Sequence, residues 1–190
     1  MSQKELKQKY AEILANEVWH GDQSMVDFCV KEAAYIVELG NGDIVPIKKP
    51  DIKKRFCFGY SDSRYDTEDY DRANAMADHA RKSVEYFIKQ NMADIDEQIN
   101  NLEGKGSPRW AYRIAVPYSG QKKDSKLKHI WAVDRWDPRN EQYQFLEGED
   151  LQRVIEGYKV VRAEFEKRLD RYLKRYGLSK VKSWSYWQDA

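Results

Sequence analysis

A chain of 190 residues can bury one core with helical extensions, and 41% hydrophobic and 13% aromatic content supplies the material for it. Charged residues reach 34%, but 33 basic side chains against 32 acidic ones leave a net charge of +1, which argues against both a uniform nucleic-acid coat and a whole-molecule DNA mimic. No apolar run approaches a membrane span, the N-terminus carries no apolar leader, and Cys29 and Cys57 form neither a disulfide framework nor a CxxC zinc site, so a reduced, cytoplasmic setting without membrane or structural metal is expected.

Residues 2–18 read as a helix. Ser2 and Glu5 have capping-box spacing, and Leu6, Tyr10, Ile13, Leu14 and Val18 recur at helical intervals on one face. His20, Gly21 and Asp22 break it, and Asp22 is placed to cap a short second helix over 23–32. Residues 35–39 and 44–47 then flank Gly40-Asn41-Gly42-Asp43. Asn-Gly accepts positive φ, so a β-hairpin is expected there, and Pro46 puts its strand at an edge. Residues 55–60 form a third apolar run of strand type.

Thr67 caps a long helix whose first turn holds Glu68 and Asp69, favourable against the helix dipole. Its apolar stripe is Tyr70, Ala73, Ala77, Ala80, Val84, Phe87 and Ile88, continuing through Ile95, Ile99 and Leu102. Asn91 is a place where this long helix could break, and the stretch 104–108, with two glycines and Pro108, ends it. Residues 110–116 and 129–133 read as two more strands, joined by a lysine-rich loop over 119–128 that is expected to move. A basic amphipathic helix starts near 148–150, and a tail with Trp184, Tyr186 and Trp187 follows Gly177.

The order ααβββαββα, with short turns between successive strands, predicts an α+β fold: an antiparallel sheet of about five strands with long helices packed on it. It reads as a single domain over 1–190. Its parts are N-terminal helices (1–32), strands (33–60), a long helix (67–103), strands (109–136), the basic helix (149–177) and the aromatic tail (178–190). If the apolar stripes of the long helices stayed exposed, two copies would pair through them as a homodimer.

Enzymatic chemistry finds little footing. No phosphate-binding, dinucleotide, serine-hydrolase or zinc-protease motif occurs, and no cofactor is implied. Asp78 and His79 are adjacent on a helix and point about 100° apart, so they make no dyad by themselves. A small enzyme using His79 needs a partner from elsewhere in the fold. Two charged regions stand out instead. Residues 62–71 carry Asp62, Asp66, Glu68, Asp69 and Asp71 against Arg64 alone, interleaved with Tyr65 and Tyr70, without the glycine and terminal glutamate of a calcium loop. Carboxylates and tyrosines in that arrangement suit an arginine-rich partner surface that otherwise holds phosphates and bases. Residues 151–190 hold ten Lys/Arg against five Asp/Glu. Arg168, Arg171, Lys174 and Arg175 with Trp184 and Trp187 form a basic and aromatic surface suited to phosphates and stacked bases. Lys122 and Lys123 lie in a second basic stretch with Lys126 and Lys128, and 48–55 holds a third.

Residues 55–60 (Arg-Phe-Cys-Phe-Gly-Tyr), 70–81 (Tyr-Asp-Arg-Ala-Asn-Ala-Met-Ala-Asp-His-Ala-Arg) and 86–88 (Tyr-Phe-Ile) resemble small accessory proteins of phages and mobile elements in Firmicutes. Many such proteins disable host defence, and some are anti-CRISPR proteins. The resemblance implies a genomic setting and assigns no catalytic residue. Together with the separated acidic and basic poles, it leads to the expectation of a non-enzymatic binding protein in the host cytoplasm. Such a protein would block a nucleic-acid-handling defence complex, such as a CRISPR–Cas nuclease, by sterics and charge. The alternatives are a direct DNA- or RNA-binding accessory protein and the His79 enzyme.

Overall fold

The computed structural model describes residues 1–53, 69–106, 110–115, 122–134 and 143–175, with the side chains of 69–83, 110–111 and 134 outside that description. The fold is α+β, in the order α1 (Gln3–Ile13), α2 (Gln23–Glu32), β1 (Ala33–Glu38), β2 (Ile44–Lys48), α3 (Asp69–Leu102), β3 (Trp110–Ala115), β4 (His129–Asp134), β5 (Gln144–Phe145) and α4 (Gly148–Arg175). Two compact units divide the chain. One comprises Met1–Lys49 with Ile95–Glu164, the other Pro50–Asp94 with Phe165–Ala190.

In the first unit the capping box forms as expected. The Glu5 amide donates to the Ser2 hydroxyl at 3.3 Å, and the Ser2 amide donates to the Glu5 carboxylate at 2.6 Å. These bonds to Ser2 hold the Glu5 carboxyl below its usual range. A single π-helical turn, Leu14–Val18, follows α1 and closes when the Trp19 amide donates to the Leu14 carbonyl at 2.8 Å. The chain reverses through His20 and Gly21, both at positive φ, and the Asp22 carboxylate caps α2 by accepting from Met25 N–H.

The β1–β2 hairpin has helices on both faces, because alternate strand residues point to opposite sides. Ile36 and Ile44 join Leu6, Tyr10, Leu14 and Val26 in one buried cluster under α1 and α2. Full burial of each aliphatic member contributes about 1.5–3 kcal/mol. On the opposite face, Val37 and Ile47 meet α4 at Gly157, where a Cβ would lie 2.8 Å from a methyl of each. Only glycine allows this approach. At the turn, Asp150 in the first turn of α4 accepts from Gly40 N–H at 2.8 Å, pinning the helix start to the hairpin.

Both outer edges of the hairpin are occupied, each in a different way. Beside β2, Ile44 N–H donates to the Lys126 carbonyl at 2.7 Å and the Ile44 carbonyl accepts from Lys128 N–H at 2.8 Å. Residues 126–128 thus run parallel to β2 through one Ile44–Leu127 bridge. Pro46 lies opposite Ile36 and, two residues from Ile44, turns its nitrogen to that same outer side, where no ladder bond is lost. Beside β1, the Gln3 side-chain amide pairs with Ile36 as a peptide group would, accepting from Ile36 N–H at 2.9 Å and donating to its carbonyl at 2.8 Å. Free strand edges template unwanted pairing, and these contacts blunt both.

β3 pairs antiparallel with β4 along six residues and with β5 through Arg113–Phe145 and Ile114–Gln144, giving the order β4-β3-β5. The described strands therefore form a two-stranded and a three-stranded antiparallel sheet joined at one parallel bridge. The strand expected at 55–60 lies outside the described residues, and β5 was not foreseen.

Residues 125–128 of the lysine-rich loop make specific contacts with the rest of the first unit. Ser125 is buried and its hydroxyl donates to Glu17, and Asp43 pairs with Lys126 at 3.4 Å and with Lys128 at 3.9 Å. The long helix is continuous through Asn91: α3 runs unbroken from Asp69 to Leu102. Asn91 is buried in the second unit, where its side chain donates to the Phe87 carbonyl at 3.0 Å and accepts from Lys53 N–H at 2.6 Å. Its polar group is satisfied without unwinding the helix. α3 ends as expected at Gly104 (φ 74°), whose amide donates to Asn101, while the Lys105 amide donates to Asn100, in the Schellman pattern. Also in the second unit, Phe87 and Tyr172 stack at 5.7 Å between ring centroids.

Candidate functional site

The basic helix α4 divides its cations. In its first half they are committed to partners. Arg153 pairs with Asp150 and Glu149, Lys159 with Glu103 at 3.0 Å and with Glu156, and Arg162 with Asp96 at 2.6 Å. Hydrogen bonds to Lys105 and Lys159 hold the Glu103 carboxyl below its usual range. The last turns differ. Arg168 lies over the Phe165 ring at 5.6 Å, whereas Arg171, Lys174 and Arg175 are exposed and among the described residues have no ion-pair partner. Their i, i+3, i+4 spacing puts all three on one face, while Leu169 and Leu173 are buried on the other. Of the predicted basic and aromatic surface, the structure thus brings Arg171, Lys174 and Arg175 together. Trp184 and Trp187 lie outside the described residues.

The predicted acidic surface is described only at its edge. Asp69 and Asp71 fall in the first turn of α3, without description of their side chains, and Asp62, Tyr65, Asp66 and Glu68 lie outside the described residues. The side chain of His79 lies outside as well. Lys122 and Lys123 are exposed, and neither has an ion pair among the described residues. Lys123 is held by its carbonyl, which accepts from the buried Lys128 at 3.3 Å.

The three-stranded sheet carries a feature not singled out from the sequence. Its register sets Arg113 of β3 opposite both Trp131 of β4 and Phe145 of β5. Cross-strand partners point to one face, so the three form a row: aromatic, cation, aromatic. The Arg113 guanidinium lies 3.6 Å from the Phe145 ring centroid and is 4% exposed, while Trp131 is 45% and Phe145 49% exposed. On the same face His129 is largely buried, and that burial, with Lys48 nearby, lowers the imidazole pKa. The other face packs inward through Ile114 and through Tyr112, whose hydroxyl accepts a long, 3.5 Å hydrogen bond from Asn101. Only a strand-centred Arg among apolar neighbours hinted at this row in the sequence. The register that brings Phe145 beside it is set by a strand of two residues.

A groove of about 780 Å³ lies along the outer edge of β1, lined by Leu6, Val37, Leu39, Arg153 and Val160 among others. Gln3, which also lines it, is the side chain that occupies the Ile36 edge. No helix among the described residues is long and apolar enough to cross a membrane. No family model, no curated protein and no solved structure matches the chain.

Proposed function

We propose that this chain is a non-enzymatic binding protein of a phage or mobile element that inhibits a nucleic-acid-handling defence complex of its host, such as a CRISPR–Cas nuclease, by occupying a contact surface. The observation that supports this reading is the last two turns of α4. They hold three exposed cations, without an ion pair among the described residues, on one face of a helix whose first-half cations Arg153, Lys159 and Arg162 are paired. Unpaired guanidinium groups in a rigid row suit phosphates and carboxylates, which Arg engages through two parallel hydrogen bonds. The resemblance of residues 55–88 to phage accessory proteins adds the setting.

Cations in a last helical turn also complement the helix dipole, by about 0.3–1 kcal/mol each. The test therefore has to read partner binding, not stability. Replacing Arg171, Lys174 and Arg175 together by glutamine keeps the helix and removes the charge. Inhibition of guided cleavage by the wild-type chain, lost in the triple variant at unchanged helical content, supports the reading. Unimpaired cleavage at a several-fold molar excess of wild type sinks it for that nuclease.

A further inference from the structure

We propose that the outer edge of β1 is a docking site for an extended, alternately apolar peptide segment of a partner protein, and that the Gln3 side chain is the latch such a segment displaces. The two edges of the hairpin are closed by different means. At β2 the cover is main chain: Lys126 and Lys128 bond Ile44, and that segment is anchored through buried Ser125 and through Asp43. At β1 it is two side chains, one from each neighbouring helix. Gln3 of α1 makes both bonds to Ile36, at 2.9 and 2.8 Å, and Asp150 of α4 accepts from Gly40 N–H at 2.8 Å. Between them lies Glu38. It stands opposite Ile44, whose own N–H and C=O are both spent on Lys126 and Lys128, so the two form a non-hydrogen-bonded pair. The Glu38 N–H and C=O therefore turn outward with those of Ile36, and among the described residues they have no partner. They open into the groove of about 780 Å³.

The geometry selects a strand as the occupant. Gln3 and Ile36 exchange two bonds at one residue, as a hydrogen-bonded antiparallel pair does, so a peptide group already has its place there. Glu38 lies two residues on, about 6.8 Å along the strand, which is where the next such pair falls. The groove has a wall on each face of the edge, with Met1 and Leu6 of the α1 end on one side and Gly157 and Val160 of α4 on the other. Side chains of an entering strand alternate between two such walls. Val160 is 42% exposed, on the same helix face as Gly157, and an apolar side chain on the α4 side would cover it. The charged groups that line the groove are already paired: Glu38 with Lys9 at 2.7 Å, Arg153 with Asp150 at 3.4 Å and Glu156 with Lys159 at 3.5 Å. Nothing in it calls for a charged ligand. A second copy does not fit, because its own β1 is covered by α1 and α2 on one face and by α4 on the other, and a strand so flanked cannot enter between helical walls. Gln3 leaves the edge by rotating its own torsions, with α1 in place.

The proposal stands on β1 and on the helix residues beside it, not on the cations at the end of α4, so its failure leaves the reading of that face untouched. The probe is a labelled, end-capped heptapeptide of alternating threonine and valine, titrated into the full chain by fluorescence anisotropy. Gln3→Ala removes the competitor for Ile36 and should tighten binding about five- to thirtyfold, the worth of two hydrogen bonds. Val160→Glu, at a half-exposed position, should weaken it about fivefold or more. Of two versions of the peptide, each N-methylated at one alternate set of amides, one should lose binding and the other keep it, because only one set faces β1. Amide exchange locates the site: Glu38 N–H should exchange fast in the free chain and slowly in the complex, while Ile44 stays protected throughout. Absence of binding to the Gln3→Ala chain overturns the proposal. So does affinity unchanged by both substitutions, binding that neither methylated set weakens, or unchanged Glu38 exchange in the saturated complex. A Gln3→Ala chain that dimerises and thereby excludes the peptide would give the edge to a second copy and overturn it as well.

Discussion

Replacing Gln3 by alanine strips the outer edge of β1. The amide side chain makes two bonds to one residue, at 2.9 Å from Ile36 N–H and at 2.8 Å to the Ile36 carbonyl. Each contributes a net of about 0.5–1.5 kcal/mol. The adjoining groove of about 780 Å³ admits water to the stripped groups, which puts the loss toward the lower half of that range, about 1–2 kcal/mol in all. Alanine's better helix propensity at the first residue of α1 returns a few tenths of a kcal/mol at most. In a chain of 190 residues this lowers Tm by roughly 2–8 °C. Gln3→Glu should do no better than alanine at neutral pH, because it can accept from Ile36 N–H but sets a second carboxylate oxygen against the Ile36 carbonyl. Thermal unfolding gives the magnitude, and amide hydrogen exchange gives the location: the Ile36 amide should lose protection while Ile44, on the far edge, keeps it. An unchanged Tm with unchanged Ile36 exchange would refute the claim that Gln3 closes this edge.

Asp43→Asn should cost about 3 kcal/mol in urea unfolding, because Lys128, 7% exposed like Asp43 itself, would be left buried without its countercharge. Gly157→Val should destabilise by about 1–3 kcal/mol in the same assay, since its Cβ would lie 2.8 Å from Val37 and Ile47 methyl groups, and a branched side chain cannot slip past a stiff valine. His129 makes stability depend on pH. Burial lowers its pKa in the folded chain, so above about pH 6.5 both states carry a neutral ring and the residue is silent. Below that, the unfolded chain takes up the proton first, and stability falls as pH drops toward the folded pKa. In His129→Gln this part of the acid loss should vanish, leaving a flatter profile of urea midpoint against pH below about 6.5.

The local signals in the sequence were clear where chemistry acts over three or four residues. Ser2 and Glu5 form their capping box, Asp22 caps α2, Asn41-Gly42 turns the hairpin, and Gly104 ends α3. What could not be read was set by pairing at long range. The lysines of 122–128 looked like a solvated loop because nothing local shows that Leu127 bridges Ile44 or that Asp43 waits for Lys128. Asn91 looked like a helix breaker because its second partner, Lys53 N–H, is 38 residues away. The same limit applies to the surfaces. The charge of α4 was visible, but which cations were already neutralised depended on Asp96 in the last turns of α3 and Glu103 just past its end. The Trp131–Arg113–Phe145 row exists only through strand register.

We propose that this chain acts by binding through the cationic face at the end of α4. The most direct measurement is guided DNA cleavage by a purified Cas nuclease titrated with the wild-type chain and with the Arg171→Gln, Lys174→Gln, Arg175→Gln variant. Cleavage should fall in a dose-dependent way that saturates near equimolar wild-type chain, and should be restored with the neutralised variant. Equal inhibition by both proteins would contradict the role of that face, and full cleavage in the presence of excess wild type would contradict the claim itself for that nuclease.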